Sequence, residues 1–410
     1  MAIIFARAAA LAAALLPCAA IAVSLSLDTA LELAVQRSES ARAAHAGVSS
    51  AVEAARAAGQ LPDPTLRAGV ENVPVTGSDR FSSSRDSMAM RRIGIGQEWL
   101  SREKRGARQA AADAAVAREK VTAQAARAEV RLQTAWAYLD AFYAREAREL
   151  MLLAERQARE EVEVARGRFA AATGSGQDVL ALISARGVAE DAAAEAGQVQ
   201  DAAHVVLERW IGKEPDGLEA ADPGPAVSEP VYVAGYPAVA ALQRDVELAR
   251  RSAEVTASDR KPNWTWEVSY GQRTGYSDML SVGVSIPLPV SPGARQDRDT
   301  AAKLALVDKA EAELAEAIRA ATGEHRALSS DARRLQDRIE HYRVGAVLAA
   351  QQRTAVATAS YGSNQSGLTS LFEARRAEIE ARRKLLALRR DLARIQAQMA
   401  YKPIATGAWQ

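Results

Sequence analysis

The passage RFAAATGSGQDVLALISAR, from Arg168 to Arg186, has a partner in SYGSNQSGLTSLFEARR, from Ser360 to Arg376. In the first passage Phe169 precedes the apolar pair Val179 and Leu180 by ten and eleven residues, and an aromatic residue precedes an apolar pair by the same spacing in the second. The aromatic residues of the two passages lie 192 positions apart. Each passage follows a very long stretch rich in alanine and charged residues. One passage therefore occurs twice, which indicates an internal duplication.

Three further landmarks recur in the same order at offsets of 198, 189 and 187 residues. They are Pro64 and Pro262, Gly94 and Gly283, and Gly106 and Gly293. A unit of about half the chain is far longer than the repeats of solenoids or propellers. The sequence therefore predicts a body with pseudo-twofold internal symmetry.

Composition points to long, closely packed helices. Only 5% of the 410 residues are aromatic, 25% are charged, and alanine is abundant. This mixture is typical of extended helices rather than of a globule around a bulky core. The 52 Lys and Arg residues are balanced by 51 Asp and Glu residues, which leaves no excess positive charge for a nucleic acid.

The first 22 residues have the pattern of a secretory signal peptide, with one early arginine, an apolar run and small residues before a cleavage point after Ala22. Cys18, the only cysteine, lies inside this segment. Pro17 argues against a lipid anchor on Cys18, because a lipoprotein signal places a small residue there. The mature chain would then have no disulfide and no cysteine metal ligand.

No catalytic pattern is present in the sequence. The four histidines lack the paired spacing of metal ligands, and neither a nucleophile elbow nor a phosphate-binding loop occurs. We therefore expect no enzymatic activity, no cofactor and no built-in metal site.

Proline marks the boundaries of the elements, because it cannot lie in a helix interior without breaking a hydrogen bond. Proline is absent from Val75 to Glu214 and from Gly293 to Lys402. Within each run, glycine and small polar residues of the repeated passage allow the chain to reverse. The pattern predicts two long helical hairpins, at 107–211 and 294–401.

The segments between the helices alternate with a period of two residues, which is typical of strands with one apolar face. Strands are predicted at about 62–75, 89–99, 262–272 and 278–288. Each is near the length that a tilted strand needs to cross a bilayer. A soluble hairpin packed on helices is the alternative. In lipid, four strands cannot close a barrel and open edges are not tolerated, so a membrane role requires an oligomer.

The predicted organisation follows from these elements. It comprises a signal peptide (1–22), a first structural repeat (23–214), a linker (215–237), a second repeat (238–402) and a C-terminal tail (403–410).

Two carboxylates lie in the first turns of the return helices, Asp178 in one copy and Glu373 in the other. Asp178 can stabilise the positive end of its helix, and Glu373 can form an ion pair with Arg376 three residues later. In a symmetric oligomer, each would instead form a ring of charge around a central opening and select cations. Both interpretations stay open at this point.

Long hairpins, paired strands, an export signal and a duplication together resemble the TolC-like outer-membrane efflux proteins over essentially the whole mature chain. Four segments are similar to the heavy-metal branch, of the cobalt-zinc-cadmium and copper-silver type: Leu61–Leu66, Glu71–Gly77, Met90–Glu98 and Tyr276–Pro289. The resemblance implies a mainly helical homotrimer whose hairpins form a tunnel across the periplasm. Four strands per protomer would then build a twelve-stranded barrel in the outer membrane.

The same resemblance implies a periplasmic adaptor and an inner-membrane, proton-driven transporter as partners. They would meet the tunnel at the hairpin ends, and the candidate docking residues are Phe169, Gly174, Gly176, Tyr361, Gly362 and Gly367. Family members often carry gate carboxylates nine and twelve residues after the second aromatic residue. Here those positions are Ser370 and Glu373, so a double acidic ring is absent and Glu373 is the gate candidate, with Asp178 in the other copy.

The expected function is a passive channel component of a tripartite efflux system that conducts heavy-metal cations. Two alternatives remain. The same channel could serve organic toxicants or secreted compounds, or the chain could be a soluble periplasmic coiled-coil scaffold.

Overall fold

The computed structural model describes residues 24–215, 217–224, 227–363 and 368–404. The predicted signal peptide with Cys18, the docking candidate Gly367 and residues 405–410 of the predicted tail lie outside this part of the chain.

Long helices dominate the described residues. The helices are α1 (Leu27–Arg37), α2 (Glu39–Ala58), α3 (Arg102–Ala170), α4 (Gly176–Ile211), α5 (Glu229–Gly235), α6 (Pro237–Ser258), α7 (Gln296–Tyr342), α8 (Ala349–Gly362) and α9 (Leu368–Tyr401). Four strands accompany them, and the prediction of long helical hairpins with four strands is confirmed. Among the described residues, the structure contains no helix with the length and apolar character needed to cross a bilayer.

Several boundaries differ from those expected from the sequence. The sequence pattern predicts one helix from Leu27 to Gly59. The structure divides this helix at Ser38, whose extended backbone (ψ 114°) ends α1 before α2 begins. α3 begins at Arg102, five residues earlier than the predicted hairpin. A π-helical turn, Arg343–Leu348, joins α7 to α8 and contains Gly345. The segment predicted as a linker contains the short helix α5, which begins after Ser228 with a proline in its first turn.

The chain forms two compact units, and each unit takes parts from both halves of the sequence. The first, which we call the hairpin unit, consists of the described parts of 1–38, 130–226 and 330–400. The second, which we call the sheet unit, consists of the described parts of 39–129, 227–329 and 401–410. Corresponding segments of the duplicated copies are therefore combined within each unit.

In the hairpin unit, α3 and α9 run antiparallel and join the two hairpins. The indole Nε1 of Trp136 donates to the carbonyl oxygen of Arg394 at 3.1 Å. Further along the pair, Met151 and Ile379 are buried together with Ala193 of α4. The helices can approach closely because their buried positions are often alanine. These alanines include Ala135, Ala137, Ala141, Ala374, Ala393 and Ala397.

In the sheet unit, the four strands form one antiparallel sheet in chain order. The strands are β1 (Thr65–Glu71), β2 (Met90–Trp99), β3 (Trp264–Arg273) and β4 (Met279–Ser285). β2 pairs with β3 over ten residues, so the two halves of the sequence are joined in the middle of the sheet. Within the described residues β1 and β4 are its edges.

The two faces of the sheet differ in chemistry. One face carries large apolar side chains that are half or more exposed: Leu66, Val70, Ile93, Ile95, Leu280, Val282 and Val284. The opposite face, which we call the polar face, carries arginine, glutamate, serine and glycine. Adjacent side chains of a strand point to opposite faces, so the alternation in the sequence produces this division.

Within the sheet unit, the short helix α5 is held to α7 and to the chain beyond α9. The hydroxyl of Tyr232 donates to Glu324 of α7 at 3.0 Å. The amide of Ile404 donates to the carbonyl oxygen of Gly235 at 2.7 Å. Gly235 has no room for a side chain, because a Cβ would lie 2.8 Å from the Ile404 carbonyl oxygen. The chain beyond α9 is therefore attached to the end of α5.

Replacing Gly94 by alanine tests how closely β2 and β3 approach. A Cβ at Gly94 would lie 2.6 Å from the Cβ of Ser269, whereas a Cβ at Gly283 would have no atom within 4 Å. Gly94→Ala should lower the free energy of unfolding by about 1–3 kcal/mol through overpacking. Thermal unfolding followed by circular dichroism measures the change. The control Gly283→Ala should be neutral or stabilising, and equal destabilisation by both variants would contradict the register.

Candidate functional site

The first hairpin reverses through a tight turn that backbone hydrogen bonds close. The amide of Thr173 donates to the carbonyl oxygen of Arg168 at 2.9 Å, and the amide of Ala172 donates to that of Phe169 at 3.0 Å. These two bonds form a Schellman motif, which requires a left-handed residue. Ala172 occupies that position with φ 57°. At Gly174, a Cβ would lie 3.1 Å from the Cβ of Arg168, so a side chain there would crowd the turn.

The return helix α4 begins directly after this turn. The side chain of Ser175 accepts a hydrogen bond from the amide of Gln177 at 3.1 Å and caps the helix. A Cβ at Gly176 would lie 3.4 Å from the ring of Phe169, so the ring packs against the start of α4. Asp178 is exposed in the first turn of α4, where its charge complements the helix dipole.

The two copies of the repeated passage are buried in opposite ways. In the first copy Phe169 is 56% exposed and Leu180 is 69% exposed. In the second copy the corresponding apolar pair, Leu371 and Phe372, is only 4% and 5% exposed. The two passages have the same spacing of apolar residues but differ in burial. The first hairpin end has an exposed apolar surface, whereas the apolar pair of the second is buried in the hairpin unit.

The described part of the second turn comprises the end of α8 and the start of α9. The amide of Ser363 donates to the carbonyl oxygen of Ala359 at 3.0 Å and closes the last turn of α8. Tyr361 is half-buried and Gly362 is exposed, with space around its Cα for a side chain. Ser370 is exposed in the first turn of α9.

Glu373 is exposed, and its carboxylate lies 4.0 Å from the guanidinium of Arg353 on α8. The ion pair with Arg376 that helix spacing suggests is therefore replaced by a pair across the hairpin. Both side chains are more than half exposed, so this pair adds little to stability. Glu373 thus stays accessible to solvent and ions near the turn.

A residue that the sequence reasoning missed, Glu161 of α3, lies between the hairpins. It is 3% exposed, and its carboxylate is 3.6 Å from the guanidinium of Arg376 on α9. Burial raises the pKa of Glu161, and the charges of Arg376 and Arg375 lower it by less. The pattern contains a signal for this position, because Glu161 lies on the same helix face as the buried Ala158 and Ala165.

The polar face of the sheet carries a compact group of ion pairs centred on Arg92. Its guanidinium donates to Glu71 at 3.0 Å, to Glu267 at 3.3 Å and to the Ser269 hydroxyl at 2.7 Å, and so bridges three strands. Arg67 reaches Glu267 from β1 at 2.8 Å across the intervening strand β2. This is possible because Gly94 and Gly96 leave the surface of β2 free of side chains there. The group of two arginines and two glutamates has no net charge.

Among the described residues, no group of three or more His, Cys, Asp and Glu side chains is arranged to hold a metal ion.

Solved structures of bacterial outer-membrane proteins share this architecture. VceC of Vibrio cholerae matches with a TM-score of 0.73 at 18% identity, over 92% of this chain and 96% of VceC. The open-state MtrE outer membrane channel of Neisseria gonorrhoeae gives 0.71 at 18% identity, over 92% and 88% of the two chains. The channel-forming protein CusC gives 0.74 at 15% identity, over 93% of both chains. The chain has the fold of these outer-membrane channels.

At identities of 15% to 18% these similarities establish the fold and not the cargo. No protein-family model matches the sequence, and comparison with curated proteins finds no match either. The cargo, the partners and the gate are therefore inferred from the residues of this chain.

The raised pKa of Glu161 predicts that the contact between the hairpins depends on pH. Its pKa in the folded chain lies above the ordinary value of 4.5, so the folded state holds a proton that the unfolded state releases. Its contribution to stability is fully present below pH 4.5 and is lost as the pH rises through the raised pKa. Glu161→Gln mimics the neutral form of the carboxyl group. The melting temperature of this variant should therefore stay high as the pH rises from 4.5 through the raised pKa of Glu161.

Melting temperatures measured by scanning fluorescence at several pH values check this prediction. The control is Glu163→Gln, which removes an exposed pair with Arg166 on the same helix and should leave the pH dependence unchanged. A pH dependence of Glu161→Gln equal to that of the unaltered protein would show that Glu161 does not control this contact.

Proposed function

We propose that this protein is the outer-membrane channel component of a tripartite efflux system and that it conducts its cargo passively. The observation that carries the proposal is the sheet, which exposes a broad apolar face and places all its charged pairs on the other. Such a face is stable against lipid hydrocarbon, and the polar face suits a water-filled lumen. Trp99 and Trp264, with ring centroids 6.4 Å apart, lie at one end of the sheet, and the exposed Tyr276 lies at the other. Aromatic side chains at both ends are typical of membrane strands.

The open edges of the sheet support a closed assembly of identical copies. In lipid the unpaired backbone groups of β1 and β4 would lack hydrogen-bond partners, and each such group costs several kcal/mol, on the order of 2–7. Pairing β4 of one copy with β1 of the next satisfies both edges. Three copies of four strands give the twelve-stranded barrel of the proposal, and the hairpins of the three copies enclose the tunnel in the periplasm.

Docking of a periplasmic adaptor is proposed at the hairpin ends. The exposed apolar side chains of the first end, Phe169 and Leu180, support this role because an unpartnered apolar surface favours association. The ordered turn through Gly174 and Gly176 presents them in a fixed geometry. Tyr361, Gly362 and Gly367 would contribute from the second end, and the adaptor would connect to a proton-driven inner-membrane transporter.

Heavy-metal cations are the proposed cargo, and the four segments that resemble the heavy-metal branch support it. The similarity to CusC is at the same level as that to other channels, so it does not by itself select metals over organic compounds. Exposed carboxylates near the hairpin ends, Glu373 and Asp178, favour cations over anions at the entrance. In the second sequence repeat, Ser370 stands where family members carry one of the two gate acids. The gate there would therefore have a single acidic ring, formed by Glu373 of each protomer.

A planar lipid bilayer tests the channel directly. Purified protein should migrate as a heat-sensitive trimer on a gel and produce single-channel steps that prefer cations. Glu373→Gln should reduce the preference for K⁺ over Cl⁻, measured as a shift of the reversal potential toward zero. The matched control is Glu380→Gln on the same helix, which is also exposed and pairs with Arg383 at 3.6 Å.

A water-soluble monomer without conductance would contradict the channel and favour the periplasmic scaffold instead. Conductance with equal selectivity in Glu373→Gln and the unaltered protein would leave the channel standing but remove Glu373 from the gate.

A further inference from the structure

The methionines of the described residues fall into two groups. Met151 and Met399 are buried in the helices, with 6% and 2% of their surfaces exposed. The other three, Met88, Met90 and Met279, lie at the end of the sheet where β1 joins β2 and β3 joins β4. Burial of apolar side chains explains the first group, whereas in the second group Met88 and Met279 are exposed and Met90 is half-buried.

Met90 and Met279 flank one glycine on the polar face. Met279 of β4 is directly opposite Gly271 of β3, and Gly271 is in turn opposite Arg92 of β2, two residues beyond Met90. These residues therefore share one face of the sheet. A Cβ at Gly271 would lie 3.0 Å from the Sδ atom of Met90. The thioether of Met90 thus lies over the bare backbone of β3, toward β4 and Met279.

Packing does not account for this arrangement. Met279 is 43% exposed and Met88 is 60% exposed, and the neighbouring positions of the polar face are glycine, serine and charged residues. A thioether is a weak hydrogen-bond acceptor but a soft metal ligand, which suits Cu(I) and Ag(I) rather than divalent zinc or cobalt.

The electrostatic surroundings allow a monovalent cation. Two arginines of this face are neighbours of the methionines in the strand register, Arg92 opposite Gly271 and Arg273 opposite Met90. The guanidinium of Arg92 is compensated by the carboxylates of Glu71 and Glu267. The guanidinium of Arg273 donates to the Ser277 carbonyl oxygen at 3.0 Å. A neutral sulfur pair beside this guanidinium disfavours a divalent ion more strongly than a monovalent one.

We propose that Met90 and Met279, together with Met88, form a thioether site for a soft monovalent cation, Cu(I) or Ag(I), at the loop end of the polar face. Met88 precedes Met90 by two residues in the loop that leads into β2, and it supplies the third sulfur. The role of this methionine site as a cargo site at the channel exit rests on the proposed function. The binding of the ion by the three methionines does not depend on it. Because a thioether needs no deprotonation to bind metal, the affinity should not change between about pH 5 and 8, unlike that of a histidine or thiolate site.

Isothermal titration of the purified protein with silver nitrate in chloride-free buffer tests the site. The unaltered protein should bind Ag(I) with the same affinity at both ends of that pH range, and excess Zn(II) should not compete. The double variant Met90→Leu and Met279→Leu should bind more weakly by about tenfold or more, since two of three sulfurs are lost. The control Met151→Leu keeps the unaltered affinity.

Methyl NMR of protein labelled at the methionine methyl groups gives a second measurement. Ag(I) should shift the Met90 and Met279 resonances and leave that of Met151 in place. Unchanged Ag(I) affinity in the double variant, or a shift confined to other residues, would overturn the site. Conductance in a planar bilayer separates the two proposals. A protein that conducts but does not bind Ag(I) would contradict only the thioether site. A protein that binds Ag(I) but does not conduct would contradict only the channel function.

Discussion

The four-stranded sheet imposes the constraint on which the rest of this structure depends, because its apolar face and its two edges cannot all be satisfied by one chain. The exposed side chains on one face, such as Ile93 and Val282, need an apolar environment. In that environment the unpaired backbone of β1 and β4 would be costly. In the proposed assembly, lipid covers the apolar face and another copy pairs with each edge, which satisfies both requirements.

The polar face is organised to be stable without a hydrophobic core. Arg92 bridges three strands, and Arg67 reaches Glu267 across a strand whose facing residues are glycine. The exposed pairs contribute little alone, but the shared guanidinium of Arg92 links β1, β2 and β3. The glycines also allow β2 and β3 to lie close together, since a side chain at Gly94 would collide with Ser269.

The sequence predicted the type of each long element because its period and its prolines are local signals. The four strands were recognisable from alternation, and the hairpins from the absence of proline. Burial at the hairpin ends was not predictable, because Leu180 and Phe372 occupy equivalent positions and differ only in what packs against them. The break at Ser38 and the burial of Glu161 likewise depend on tertiary packing, although the position of Glu161 on an apolar helix face was a usable signal. The gate and docking assignments remain predictions.

Disulfide trapping across the edges of the sheet tests the assembly most directly. Gly69 of β1 and Gly283 of β4 have open space around them on the polar face, and within one chain three strand spacings, about 14 Å, separate their strands. A disulfide needs Cα atoms within about 7 Å, so a chain with both Gly69→Cys and Gly283→Cys cannot close on itself. Screening Ser281→Cys and Ser285→Cys beside Gly283→Cys covers the neighbouring registers. We predict that oxidation of a double-cysteine variant gives cross-linked species of up to three chains, which reductant returns to monomer. The single-cysteine variants should not form these species. Monomer alone after oxidation of every double-cysteine variant would contradict closure by neighbouring copies.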